Sequence, residues 1–377
     1  MLRLNFKKIL SFIHLWLGLL SGLVVFIVGF TGCIYTFSDE LKALCYKQRL
    51  YIEVPGNTQK LPFSQLLNIA ERALGKDRKI SRAEISQKPG RSYMFRAMKL
   101  NRKAFGYWNS YVYYDKVYLN PYTGQVLYIE NAKKEFFTLV LAMHMNLMLG
   151  DVTGHFIVKW SVVCFILLLF SGIVLWWPKK ANLKSFKKGL LIKWNAKFKR
   201  LNYDLHNVTG FYVFFLLLII GLTGLMWSFG LTTEKKSTLQ SDTTRQAAKL
   251  PADLILQKAI QTAPGTAYFL YNFPTAKAGT INLTAYQSER HLYDRISYKF
   301  DRYSGELLMQ GPSFKNLSLS GQLIAMNYDL HTGTALGLPG KIMAFLASLV
   351  AGSLPLTGLF IWLHKKKKKN KQNKALP

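Results

Sequence analysis

Acidic residues are scarce in this chain: its 377 residues hold 19 Asp+Glu against 50 Lys+Arg, a formal net charge of +31. Cysteine is scarcer still. There are 3, with no C-x-x-C pair, which excludes a disulfide framework and a dithiol redox motif. No G-x-G-x-x-G or Walker-type loop occurs, so no nucleotide is held by those devices. No zinc-finger, homeodomain or other nucleic-acid motif is present to use the basic surplus. What is abundant is apolar: 50% of the residues are hydrophobic. Charge is also absent from four long runs, Ile9–Ser38, Trp160–Trp177, Leu205–Thr233 and Ile342–Leu363. Each is long enough to cross roughly 30 Å of hydrocarbon as a helix. A soluble globular protein is thereby excluded.

The first run follows a basic MLRLNFKK segment, as a signal peptide would, but it is too long for a cleaved signal and lacks an A-x-A site. It reads as a retained helix. Short basic segments set topology. Arg3, Lys7 and Lys8 precede the first run, nine basic residues and one acid lie between Pro178 and Asp204, and seven basic residues follow Leu363. All three segments are expected in the cytoplasm, with Lys365–Lys369 anchored to anionic membrane lipid rather than to nucleic acid. The expected layout is helix 1 over 1–38, an outer module over 39–155, helix 2 over 156–178, a basic loop over 179–204, helix 3 over 205–233, a second module over 234–341, helix 4 over 342–364 and a basic tail over 365–377.

Each outer segment opens with helix punctuation after a proline, Pro62 and Pro251. Each continues into strand-like text such as Tyr111–Tyr118 and Thr280–Tyr286. The expected class is a membrane α-helical protein with four transmembrane helices and two small α+β modules.

The halves repeat. Gly29-Phe-Thr-Gly-Cys-Ile-Tyr-Thr-Phe37 recurs as Gly221-Leu-Thr-Gly-Leu-Met-Trp-Ser-Phe229, offset 192. Asn120-Pro-Tyr-Thr-Gly-Gln-Val-Leu127 recurs as Asp301-Arg-Tyr-Ser-Gly-Glu-Leu-Leu308, offset 181. Ser171-Gly-Ile-Val-Leu-Trp-Trp177 recurs as Thr357-Gly-Leu-Phe-Ile-Trp-Leu363, offset 186. The same order and direction predict a tandem parallel repeat of helix–module–helix about an axis along the membrane normal. Equivalent residues then face each other.

Four of the seven histidines obey the repeat. His14 and His206 each lie six residues past a basic residue and four before a glycine, Gly18 and Gly210. His144 and His331 both read His-x5-Gly, to Gly150 and Gly337. Ionisable groups in a span are costly and mark function by default. A helix-packing histidine that hydrogen-bonds across the bundle is the alternative. No Asp, Glu or Cys is duplicated beside either pair, which disfavours a zinc site of three or four ligands. Two facing imidazoles with glycines nearby suit a haem, which needs two axial ligands and a close backbone. The candidate cofactor-binding set is therefore His14, His206, His144, His331, Gly18, Gly210, Gly150 and Gly337, with the four histidines as ligands to iron and His155 in reserve. Met143, Met145 and Met148 read as packing. His291 reads as a surface strand position, and His364 as a polar helix end.

The two halves, their Tyr/Gly turns, Tyr203-Asp-Leu-His-Asn-Val-Thr-Gly-Phe211 and Leu330-His-Thr-Gly-Thr-Ala-Leu-Gly-Leu-Pro-Gly340 resemble the PepSY-associated transmembrane helix family. The resemblance spans nearly the whole chain and implies a bacterial inner-membrane protein with both termini cytoplasmic and periplasmic PepSY-like modules. It further implies two b-type haems on His14, His144, His206 and His331, and reduction of a periplasmic ferric siderophore or other ferric chelate. One departure is Asp151-Val-Thr-Gly154 against Leu338-Pro-Gly340, where the glycine spacing differs by one residue. With no nucleotide motif, a quinol or a separate reductase is the expected electron donor. A membrane-anchored PepSY regulator without haem, and a chelate permease, are the competing readings. The first leaves the paired histidines unexplained. The second lacks a polar path through four uncharged spans.

Overall fold

The computed structural model describes residues 2–56, 59–178, 182–232, 238–244 and 251–374, without the side chains of 2–5 and 368–374. Lys179, Lys180 and the side chains of the basic tail beyond Lys367 thus lie outside the described residues. In chain order come α1 (Leu2–Thr36), α2 (Phe63–Leu74), β1 (Ile80–Ser86), β2 (Tyr93–Leu100), β3 (Tyr111–Leu119) and β4 (Val126–Asn131). Then follow α3 (Phe136–Asn146), α4 (Thr153–Trp176), α5 (Gly210–Ser228), α6 (Ala252–Thr262), β5 (Tyr268–Asn272), β6 (Ile281–Tyr286), β7 (Arg295–Phe300), β8 (Leu307–Gln310), α7 (Asn327–Thr332) and α8 (Gly337–Lys374).

The chain divides into two compact units, one built from 1–37, 140–231 and 330–377, the other from 38–139 and 232–329. The division differs from the expected boundaries. Residues 140–155 and 330–341, assigned above to the outer modules, join the helical unit, and they bring His144 and His331 with them.

Among the described residues of the helical unit, four helices are long and apolar enough to cross a membrane: Phe6–Thr36, Thr153–Trp176, Phe198–Ser228 and Thr334–Lys367. Their polar backbone is satisfied within each helix, as hydrocarbon demands. α1 packs on α4 and α8, and α5 packs on α4 and α8, closing a ring. Glycine sets the closest approach. A Cβ on Gly29 of α1 would lie 2.6 Å from the backbone nitrogen of Gly352 on α8. Small residues at crossings are how helices associate where apolar surface alone gives no drive.

In the other unit all eight strands form one antiparallel sheet, ordered β4-β3-β2-β1-β5-β6-β7-β8. Sequence patterning pointed to two separate modules, whereas the structure joins them through β1 and β5, from Arg82 opposite Asn272 to Ser86 opposite Tyr268. An unpaired β1 or β5 would expose a row of N–H and C=O groups, and pairing them removes both edges. The helices follow the proline signals: Pro62 and Pro251 stand at the N-caps of α2 and α6. Their apolar stripes, Phe63, Leu66 and Ala70 on α2 and Ile255, Leu256 and Ala259 on α6, share one core with Phe95, Val117, Phe269, Tyr271 and Leu283. Asp253 accepts from the backbone N–H of Ser64 at 3.0 Å, tying the two helices together.

The repeated turns also match. The Asn120 side chain accepts from the N–H of Tyr122 at 2.9 Å, and that of Asp301 from Tyr303 and Ser304, each at 2.8 Å. Burial alone would push the Asp301 carboxyl up, but the donors Ser304, Asp242 and Tyr303 hold it below its ordinary range. Gly124 and Gly305 supply the left-handed residue, at φ 73° and 65°.

Two outcomes follow. In a background freed of native cysteines, Ser86→Cys with Tyr268→Cys should form an intramolecular disulfide on oxidation, seen as linked peptides after proteolysis; absence of the link would separate the two halves of the sheet. Gly29→Val should overpack the α1–α8 crossing at a cost of about 1–3 kcal/mol, lowering the thermal midpoint in detergent.

Candidate functional site

The four histidines of the repeat form two facing pairs inside the helical unit. The rings of His14 and His206 have centroids 6.4 Å apart with planes at 85°. Those of His144 and His331 are 6.1 Å apart at 75°. An imidazole nitrogen binds a first-row metal at about 2.0 Å and lies roughly 1.1 Å from its own ring centre, so two imidazoles on opposite sides of one ion have centres about 6.2 Å apart.

A neighbouring helix holds each ring through Nδ1. His14 on α1 meets Ser171 Oγ on α4 at 2.8 Å, and His206 meets Thr357 Oγ1 on α8 at 2.9 Å. Both hydroxyls already donate to carbonyls of their own helix, Ser171 to Leu168 at 3.1 Å and Thr357 to Leu354 at 3.0 Å. Their oxygens therefore accept from Nδ1–H. His144 on α3 donates from Nδ1 to the Val28 carbonyl at 2.9 Å, with Thr31 Oγ1 at 3.3 Å. His331 on α7 does the same to Ile220 at 3.0 Å, with Thr223 Oγ1 at 3.0 Å. The tautomer assigned from this network carries its proton on Nδ1 in all four rings and leaves the Nε2 lone pair for a ligand. A hydrogen bond at the second nitrogen is the usual way a metal-binding histidine is oriented.

Each ring also rests on a glycine. A Cβ at Gly172 would lie 3.5 Å from Cε1 of His14, and one at Gly358 3.3 Å from Cε1 of His206. For the second pair the distances are 3.2 Å from Gly32 to His144 and 3.4 Å from Gly224 to His331. These four glycines were not in the expected set. Nor were the hydroxyls of Ser171, Thr357, Thr31 and Thr223. The signal was present: Ser171-Gly172, Thr357-Gly358, Thr31-Gly32 and Thr223-Gly224 lie within the duplicated motifs.

Of the expected glycines, Gly18 and Gly210 line a cavity of about 610 Å³ together with His14 and His206. That volume is in the range of small-molecule and cofactor sites. Lys8 and Lys365 line it as well. Gly150 and Gly337 instead turn the chain, at φ 87° and 64°. The close contacts beside them fall elsewhere. A side chain at Gly154 would collide with the backbone of Asn146, and one at Gly340 with Gly333. The one-residue difference in spacing is thus absorbed in the turns, while the two rings still meet.

His206 differs from His14 in one respect, lying in a π-helical turn, Leu205–Thr209, between Phe198–Asp204 and α5. Such turns are frequent at functional sites. His155, in the first turn of α4, faces no other imidazole among the described residues. His291 lies in the loop between β6 and β7, 3.4 Å from Asp329, rather than on a strand. His364 bonds the Phe360 carbonyl at 2.8 Å within α8, which runs on to Lys374 rather than ending there. Among the described residues no group of three or more His, Cys, Asp or Glu is placed to share a metal ion. Two imidazoles per site therefore fit a group that asks the protein for two axial ligands.

No curated protein matches the chain. The family model described as the PepSY-associated TM region matches residues 12–365, nearly the whole sequence. With four helices apolar enough to cross a membrane and this match along their full extent, the chain belongs to the PepSY-associated TM region family.

Proposed function

We propose that this protein is an inner-membrane haem-b oxidoreductase that carries electrons outward, from a quinol or a separate reductase, to a ferric siderophore or other ferric chelate. The observation that supports it above the rest is the paired geometry: ring centres 6.4 and 6.1 Å apart, with each Nδ1 engaged by a second helix. Haem iron supplies one-electron redox chemistry when bound, its potential set by axial ligands and burial. His14 and His206 would hold one haem, and His144 and His331 the other.

The remaining residues serve these ligands. Ser171, Thr357 and the carbonyls of Val28 and Ile220 fix each imidazole and raise its basicity. Gly172, Gly358, Gly32 and Gly224 leave room for rings to sit against helix backbone. Lys8 and Lys365 offer cations to the carboxylates of the macrocycle in the cavity they line. Each ferric ion reduced takes one electron, so a two-electron quinol serves two ferric ions and releases two protons. Iron leaves because Fe(II) suits hard-oxygen chelators less well than Fe(III). The duplicated halves place one member of each ligand pair in each repeat. The basic segments put both termini in the cytoplasm and the sheet unit in the periplasm.

Protein purified in mild detergent from haem-replete cells should be red, with a six-coordinate low-spin haem b spectrum and close to two haems per chain. His14→Ala and His206→Ala should each remove or convert the same haem. His144→Ala and His331→Ala should each affect the other, with non-additive losses within a pair. A colourless, folded preparation would overturn the reductase and favour a PepSY regulator. For topology, reporters fused at Ala196 and Lys374 should behave as cytoplasmic and those at Lys88 and Gln287 as periplasmic; a cytoplasmic signal at Lys88 would invert the layout.

A further inference from the structure

Alternation along the strands gives the sheet two unlike faces. One face carries Ala83, Phe95, Val117 and Tyr271 and is covered by α2 and α6. On the other, register sets five polar residues side by side across five strands. Asn272 of β5 lies opposite Arg82 of β1, Arg82 opposite Arg96 of β2, Arg96 opposite Lys116 of β3, and Lys116 opposite Glu130 of β4. Directly opposed residues in a sheet have Cβ atoms about 5 Å apart, and like charges so placed repel. Three consecutive cations therefore need a reason.

Within the row only Lys116 faces a carboxylate. Arg82 donates from Nε to Asn272 Oδ1 at 2.6 Å, a neutral partner. Lys116 meets Glu130 at 2.9 Å, but Glu130 is shared, its other oxygen lying 2.9 Å from Arg49. Arg49 is committed elsewhere, its guanidinium 3.4 Å from the Tyr46 ring centre. At the middle of the row Arg96 has its Nε buried without a hydrogen-bond partner. The rest of its guanidinium hydrogen-bonds the side chain of Tyr114, a hydroxyl rather than a carboxylate. Two further carboxylates act on the row, Glu135 on Lys116 and Glu84 two residues further along β1. A guanidinium with unspent donors, flanked by two more cations, is the arrangement that receives an oxyanion by paired hydrogen bonds.

Resting on the ferric-chelate reading above, we infer that the Arg82–Arg96–Lys116 row docks the chelate, and that the chelate class is anionic, its iron wrapped by carboxylates or comparable charged oxygens. Neutral or cationic chelates would gain nothing from the row. Glu130, at the β4 end of the row, and Glu84, two residues along β1, reject a ligand whose negative charge extends to them.

The test uses the full-length, haem-loaded protein in detergent, with gallium citrate as a redox-inert probe and an uncharged gallium trihydroxamate as control. Calorimetry should show gallium citrate binding that weakens with added salt. Arg96→Gln and Arg82→Gln should each lower its affinity about ten-fold, the loss of a charge-assisted hydrogen bond. Arg96→Lys, which keeps the charge but not the fork, should fall between. The trihydroxamate should bind more weakly and ignore all three substitutions. Unchanged gallium citrate affinity in both glutamine variants, or trihydroxamate binding as tight as that of citrate, would overturn the inference. Thermal midpoints of the glutamine variants at or above wild type confirm that the sheet is intact, since each of those changes removes repulsion. If the haem spectrum is normal and ferric citrate reoxidises dithionite-reduced Arg82→Gln/Arg96→Gln as fast as wild type, the docking site fails and the reductase stands. A colourless protein that still binds gallium citrate through Arg96 would do the opposite.

Discussion

An imidazole buried in an apolar bundle has two nitrogens to satisfy, and leaving either without a partner costs free energy. In this protein each of four rings spends Nδ1 on a hydroxyl or carbonyl of an adjacent helix, at 2.8 to 3.0 Å. The helical unit is arranged around that requirement. α1 must reach α4 at Ser171, and α5 must reach α8 at Thr357. The short helices α3 and α7 must lean on α1 and α5 closely enough to use the carbonyls of Val28 and Ile220. Glycine permits each approach, because the position touching each Cε1 carries no side chain. Threonine and serine in these motifs therefore bond in two directions, back to their own helix and out to the ring.

The same economy explains why the rings meet in pairs. Once Nδ1 is anchored, rotation about the side chain is restricted and Nε2 is left as the remaining valence of each imidazole. Two such groups, their ring centres just over 6 Å apart, form a site that is preorganised before anything binds. His206 lies in a π-helical turn, whereas its partner His14 lies within the regular helix α1.

The sheet unit obeys a different constraint. Each half supplies a four-stranded antiparallel piece with two edges, and the β1–β5 pairing joins one edge of each into a continuous sheet over one core. The consequence on the opposite face is electrostatic. Joining the halves brings the neutral Asn272 beside Arg82, at the end of a row of cations that the first half supplies.

Much of this was legible in residue order. Charge-free runs mark spans, because a charge in hydrocarbon is costly wherever the helix packs. Pro62 and Pro251 announce helices by a local backbone preference. The internal repeat selected His14, His144, His206 and His331 because duplication preserves spacing along the chain. Other features depend on which segments touch, and spacing does not encode contact. The hydroxyl beside each imidazole lies 108 to 157 residues away from it, and the glycine is the next residue in the chain. Gly150 and Gly337 stood near the histidines in sequence, yet they turn the backbone. The two modules looked independent because strand patterning is local, whereas the pairing of β1 with β5 is decided by exposed edges. The sequence by itself therefore determined the apolar spans, the four repeated histidines and the class of each unit. Only the tertiary structure decided how the histidines pair, what anchors them and which cations stand in line, because those are contacts between helices and strands far apart in the chain.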